Sequence, residues 1–465
     1  MEKGKKIDID YFLVFPDLSY REKYEDGVSV NNGHTFCEAE KLPKRPCALL
    51  WDESLLWGLM AWRALKEAGL PFDLLRSEDI RAGGLADYRM IFVPGGWASN
   101  KLSALGDAGM EEIRRFVAGG GAYLGICGGA GMATEKGLDL LPVKRKSSGD
   151  RVPSFSGPIR LSCADYEIWR DIHTPVFCLW WPSQFQVEDP KVEILARYEE
   201  AQADAFSADI NVSDGEMIGW PELEKNYGIL LNPARLRGAP VVVEGRFGRG
   251  RVILSLVHFD TPGDPNGAIV LRNLWGPPSS CHPSEPPLGM KCQSHRFFKD
   301  VPNNIIDLIE EIHTFVTELI ATGGRNFLWY RRNPFLLQWR RGVRGLEYST
   351  LGAMVGEIKK SLGNPGDSGQ DDRLAFSERI DLSRWEEELK EIRRQIVPFC
   401  EKAKRLLIEE RLYMMNASLS PVECADKEIS RLRKELFGSA MSHGGRFKRL
   451  IDPIDRLLYD LIKEE

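Results

Sequence analysis

Tyr123-Leu-Gly-Ile-Cys-Gly-Gly-Ala130 is the stretch on which the reading of the fold turns. The apolar run Ala122-Tyr-Leu124 leads into Gly125-Ile126-Cys127-Gly128-Gly129, and the spacing predicts a helix over Ala130–Lys136. This is the G-x-nucleophile-x-G pattern of a sharp strand-to-helix turn. Such a turn holds its central residue in strained dihedrals, and glycines two places to either side let strand and helix approach without Cβ clashes. A helix N-terminus favours the thiolate of a cysteine placed on it. Taken alone, the motif reads equally as a glycine-rich turn around a buried cysteine.

Upstream, Cys47-Ala-Leu-Leu-Trp51, Phe72–Leu75 and Met90-Ile-Phe-Val93 are short apolar runs with the length of buried strands. Asp52-Glu53-Ser54 is placed to cap a helix that runs to about Ala68 and stops at Gly69, and Met110–Val117 has helical spacing. Strands alternating with helices predict a parallel sheet with helices on its faces. Residues 150–250 read as mostly strand, with runs at Ile159–Leu161, Val176–Trp181 and Val192–Ala196. Pro240–Glu244 and Arg251–Val257 flank Gly245-Arg-Phe-Gly-Arg-Gly250 and predict a hairpin.

The last of these strands delivers His258, with Asp260 two residues on. Catalytic groups gather at the carboxyl ends of parallel strands. A histidine there is placed to take a thiol proton, and an aspartate beside it to orient the ring. Pro94-Gly95-Gly96-Trp97 follows the third strand, and its backbone N–H groups, with that of Gly128, can face a developing oxyanion. As a fragment by itself it is a tight turn.

The order of these pieces resembles the class I glutamine amidotransferase superfamily, and most closely the amidotransferase-like domain at the N-terminus of some biotin-protein ligases. Val93–Trp97, Tyr123–Ala130, Trp180-Trp-Pro-Ser-Gln-Phe185 and Gly248–Asp260 carry the resemblance, which covers about half of the chain. It implies a flavodoxin-like α/β fold, with Cys127 as nucleophile, His258 as base, Asp260 as third member, and Gly95, Gly96 and Gly128 around the oxyanion. Two positions depart from the family. Asp260 stands where glutamate is usual, and Gly131 stands where glutamine-hydrolysing members carry glutamine. No ligase domain follows: Gly248-Arg-Gly-Arg251 lies in the predicted hairpin turn.

The 465 residues carry 43% hydrophobic and 28% charged side chains, an ordinary globular composition. Four segments are expected: an extension over 1–44, the α/β part over 45–275, a proline-rich linker over 276–294 and an α-helical part over 295–465. Helical spacing marks Asn304–Ala321, Leu382–Leu412 and Ser430–Leu436, while Gly363–Asp372 reads as a loop. A net charge of −6 gives no general case for nucleic acid. No signal-peptide pattern or transmembrane run is read, and a cytoplasmic setting is expected. Nine cysteines at irregular spacing make a poor disulfide framework.

No cofactor is expected. Cys281, His282, Cys292 and His295 match no common zinc module, so no metal is expected either. Arg325–Arg344 mixes aromatics with six arginines and reads as core or partner contact rather than as a membrane or nucleic-acid surface. The function expected is cleavage of a small-molecule or peptide amide through an acyl-enzyme. The alternative is an inactive amidotransferase-like scaffold whose helical part recruits a protein partner.

Overall fold

The computed structural model describes residues 44–276, 298–363, 374–376, 380–416, 424–439 and 443–463. The expected extension, the linker with Cys281, His282, Cys292 and His295, and most of the loop after Gly363 lie outside the described residues.

The first half of the α/β part runs β1 (Arg45–Leu50), α1 (Leu56–Glu67), β2 (Asp73–Leu75), β3 (Tyr88–Val93), α2 (Ala98–Ala118), β4 (Ala122–Ile126) and α3 (Gly128–Met132). Next come β5 (Phe155–Cys163), β6 (Val176–Trp180), β7 (Glu193–Ala201), β8 (Pro240–Phe247), β9 (Gly250–Ser255) and α4 (Pro265–Trp275). Strands β2-β1-β3-β4-β9 form a parallel block in that order, the flavodoxin-like order. Beyond β9 the same sheet continues antiparallel through β8, β7 and β5, with β6 paired to β5. The α/β class is therefore observed, in a mixed sheet whose parallel block carries the predicted motifs.

Register explains why those motifs meet. Val93 pairs with Gly125, and Ile126 pairs with Ser255, so β3, β4 and β9 end at one edge. Every residue of Ala48–Leu50 and Ile91–Val93 is buried, as expected for strands covered on both faces.

Two local expectations fail for physical reasons. Asp52–Ser54 does not cap α1, which begins without a side-chain cap after Leu55. Asp52 instead accepts hydrogen bonds from Ser77 N (2.7 Å) and Arg76 Nη1 (2.8 Å), and Ser54 Oγ donates back to Leu50 O. The helix expected over Ala130–Lys136 is instead the five-residue α3. The chain doubles back, with Leu138 N donating to Met132 O and Leu140 N to Ala133 O, so that Met132 closes the helix.

The helical part contains α5 (Asn303–Arg325), a hairpin of β10 (Trp329–Arg331) and β11 (Leu337–Trp339), α6 (Gly345–Leu362), α7 (Leu382–Tyr413), α8 (Lys427–Phe437) and α9 (Gly445–Ile462). The aromatic–arginine segment is this hairpin, with Trp329, Leu336 and Leu337 buried, which agrees with the core reading. One continuous apolar core runs through both halves of the chain. Arg63 pairs with Glu357 at 2.5 Å, and Arg76 stacks its guanidinium 4.1 Å above the Tyr459 ring. Among the described residues no helix is long and apolar enough to cross a membrane.

Packing at the elbow gives a paired prediction. A Cβ on Gly129 would lie 2.0 Å from Val93 O, whereas one on Gly356 in α6 meets nothing within 4 Å. Gly129→Ala is expected to destabilise the fold by about 1–3 kcal/mol. Gly356→Ala is expected to stabilise it by about 0.5–1 kcal/mol. Urea unfolding midpoints should move in opposite directions.

Candidate active site

Cys127 directly follows β4 at the N-cap of α3, with φ 51° and ψ −105°. A positive φ is strained for a residue with a Cβ. The strain is held from both sides, because Cys127 N donates to Ser255 O at 2.7 Å and Gly131 N donates to Cys127 O at 2.9 Å. The residue is 7% exposed. Its thiol lies 3.9 Å from the carbonyl oxygen of Trp180.

His258 sits three residues past the end of β9 and is fully buried, as is Asp260. Its backbone N–H donates to Cys178 O at 2.8 Å. Nδ1–H donates to Asp260 Oδ1 at 2.9 Å, so the shorter aspartate does reach the ring in this fold. That bond assigns Nε2 as the opposite edge, and Nε2 is buried with no hydrogen-bond partner among the described residues. Burial alone lowers the pKa of the imidazole, but the Asp260 charge and hydrogen bond outweigh it, and the neighbouring Cys127 thiol adds to the rise. The net shift is upward. Trp57 packs on the ring, with centroids 4.9 Å apart and planes at 32°.

Gly95, Gly96 and Gly128 lie close together. A Cβ on Gly95 would lie 3.0 Å from Trp57 Cγ and 3.2 Å from His258 Cε1. A Cβ on Gly128 would lie 1.9 Å from Gly96 O and 3.0 Å from Gly96 N. Gly96 itself has φ 111°. The Gly-Gly turn thus touches both the histidine and the elbow, and at Gly96 a Cβ would also lie 2.8 Å from Glu53 O.

Sequence reasoning missed what lies under this turn. Lys101 is fully buried, donating to Ser54 Oγ and to Asp52 O at 3.4 Å. Burial pushes its pKa down to about 7, against the pull of Glu53, Asp52 and Asp455. Asp455, on α9, is pushed up to about 7, chiefly by burial. Lys101 has no local signal, since a lysine on an amphipathic helix normally reads as solvated. Trp57 has no local signal either, since its place on the histidine ring depends on tertiary packing. Among the described residues no three His, Cys, Asp or Glu side chains are grouped to hold a metal ion.

A family model described as the N-terminal part of biotin-protein ligase matches residues 86–137, which span β3 through the elbow. The PurQ subunit of phosphoribosylformylglycinamidine synthase from Methanococcus maripaludis is 32% identical over 89 residues. The match covers 17% of this chain and 33% of the relative, so the chain spans about a third of that protein's length. The α/β part is class I glutamine amidotransferase-like. Among solved structures, a GMP synthase subunit from Thermoplasma acidophilum is similar at 14% identity, covering 50% of this chain and 93% of that one, with a TM-score of 0.33. A glutamine amidotransferase is similar at 19% identity, 47% and 93% coverage and a TM-score of 0.31.

The amidotransferase-like part generates a pH prediction. The native His258 pKa lies above its unfolded value, so protonation contributes stability that is fully present below about pH 6.5 and is lost as pH rises through the raised native value. Asp260→Asn removes the charge that opposes burial. In a titration of ¹³C-labelled histidines, the His258 resonance is expected to move from a pKa above the ordinary range to a lower one. An unchanged value would exclude Asp260 as the cause.

Proposed function

We propose that the protein is a cysteine-nucleophile amidohydrolase that cleaves an amide or related acyl bond through a covalent acyl-enzyme. The observation that carries this reading is the buried His258–Asp260 pair, whose Nε2 edge is left without a partner beside a cysteine in a strained elbow. An oriented imidazole with its Nε2 edge toward a neighbouring thiol can hold that thiol's proton and give it to a leaving group.

In the proposed reaction, the Cys127 proton rests on His258 Nε2, as the raised pKa of the ring favours, and the Sγ thiolate attacks the carbonyl carbon. The S–C bond forms as the C=O electron pair moves to oxygen, which the Gly96 and Gly128 backbone N–H groups face. The C–N bond then breaks, the proton on His258 goes to the leaving nitrogen, and an amine or ammonia departs. Water attacks the thioester with His258 taking its proton, and the C–S bond breaks to release the acid product and Sγ as thiolate, which restores the ion pair. Asp260 keeps Nδ1–H fixed throughout and offsets the imidazolium charge. Gly131 leaves no side chain at the position where glutamine-hydrolysing relatives carry glutamine, which argues for an amide other than glutamine.

A scaffold that keeps the fold without the chemistry is the second reading, favoured by the near-complete burial of Cys127. Alkylation separates the two. Burial pushes the pKa values of Cys163 and Cys178 up to about 12, so both are poor nucleophiles despite being more exposed than Cys127. Chloroacetamide followed by peptide mass spectrometry is expected to modify Cys127 first, and His258→Ala to slow that adduct by about 10²-fold or more. Modification of Cys163, Cys178 and Cys424 with Cys127 untouched would sink the enzymatic reading.

A further inference from the structure

We propose, resting on the amide-cleaving reading of Cys127, that the acyl group of the substrate is aromatic and that it binds in a cavity built jointly by the sheet edge and the helical part. The cavity is walled by Trp97, Trp181 and Trp339 and floored by the loop from Gly342 to Leu346. With its open mouth included it measures about 870 Å³.

Position ties this cavity to the elbow. Trp97 directly follows Gly96, whose carbonyl sits against Gly128. Trp181 directly follows Trp180, whose carbonyl oxygen lies 3.9 Å from Cys127 Sγ. Two walls therefore begin one residue away from groups that touch the nucleophile's loop. In the proposed pose the acyl chain runs from its carbonyl at Cys127 toward these indoles.

Chemistry selects the occupant. Trp181 stacks on Trp339 with centroids 4.5 Å apart and planes at 26°. It also has φ 47°, a conformation that costs a bulky residue energy, and it is pinned there by its N–H donating to Phe155 O at 2.8 Å. Trp57 meets Trp181 edge-on and stacks on His258, so aromatic faces continue from the base into the cavity. The charges at the inner end are engaged with one another. Arg344 Nε donates to Glu347 Oε1 at 2.7 Å, His443 lies 3.7 Å from the same oxygen, and Arg341 is also engaged. A planar apolar group gains stacking and burial here. The α-ammonium and α-carboxylate of glutamine would have to break existing ion pairs to be received.

The test uses the full chain with Cys127→Ala, which removes turnover, and titrates it calorimetrically with 3-phenylpropionamide and with L-glutamine. 3-Phenylpropionamide is expected to bind at least about tenfold more tightly than glutamine. Ser154→Phe, which fills the cavity from its rim, is expected to weaken it by about tenfold or more in the same background. Tighter binding of glutamine overturns the proposal, as does an unchanged affinity in Ser154→Phe with its melting midpoint intact. If Ser154→Phe is unfolded, Trp339→Leu replaces it, with the same loss expected and unchanged affinity again overturning the proposal. Ammonia release by the unmodified chain distinguishes the two levels. Release from glutamine but not from 3-phenylpropionamide defeats the aromatic assignment and spares the nucleophile. Aromatic binding without release from any amide supports the cavity and defeats the hydrolytic reading.

Discussion

Backbone against backbone at the carboxyl edge of the sheet is the constraint on which the rest depends. Gly128 lies against Gly96, and Gly129 lies against the carbonyl of Val93, with no space for a Cβ at either glycine. This contact locks the turn after β3 to the turn after β4. The parallel register then fixes β9 beside them and places His258 over Gly95. Three loops far apart in the chain are thus held by hydrogen bonds and close packing rather than by long side chains. Such positioning suits chemistry that tolerates little displacement.

The site is built at an electrostatic cost. His258 and Asp260 are removed from water entirely, and Lys101 is buried under the Gly-Gly turn. Unpaired charges in such a place would be unfavourable by several kcal/mol each. The histidine is matched by Asp260, while Lys101 lies in the field of Asp52, Glu53 and Asp455. Asp455 comes from α9, and Lys448 on that helix pairs with Glu53 at 2.5 Å. The terminal helix therefore completes the charge balance beneath the proposed oxyanion turn.

Much of the fold was legible because short apolar runs between glycine and proline punctuate the chain where the strands lie. The positions of Cys127 on a strand-to-helix turn and of His258 and Asp260 past a strand end were legible because an elbow and a strand-end histidine each have a local pattern. The antiparallel extension of the sheet was foreshadowed by the hairpin around Gly245–Gly250, but its pairing order required long-range contacts. Helix starts were misread where a polar residue had a better distant partner, as Asp52 has in Arg76 and Ser77. Lys101 and Asp455 had no local signal at all. Their burial arises from contacts between opposite ends of the described chain, and no periodicity within one helix records that.

Covering of the site follows the same logic of distant contacts. A second apolar cluster, which includes the Trp57 packed on His258, draws Leu56, Trp57 and Met60 from α1, Trp180 from β6 and Leu336 from the hairpin after α5. Residues from the helical part thus seal a face that the α/β sheet alone would leave open to water. A sealed face lowers the local dielectric around the His258–Asp260 pair and strengthens its interaction with any charge that develops on sulfur or oxygen. On the proposed reading, access comes from the side, where Trp97, Trp181 and Trp339 leave space. On that reading, the helical part contributes both to the surroundings of the His258–Asp260 pair and to the space open to a substrate.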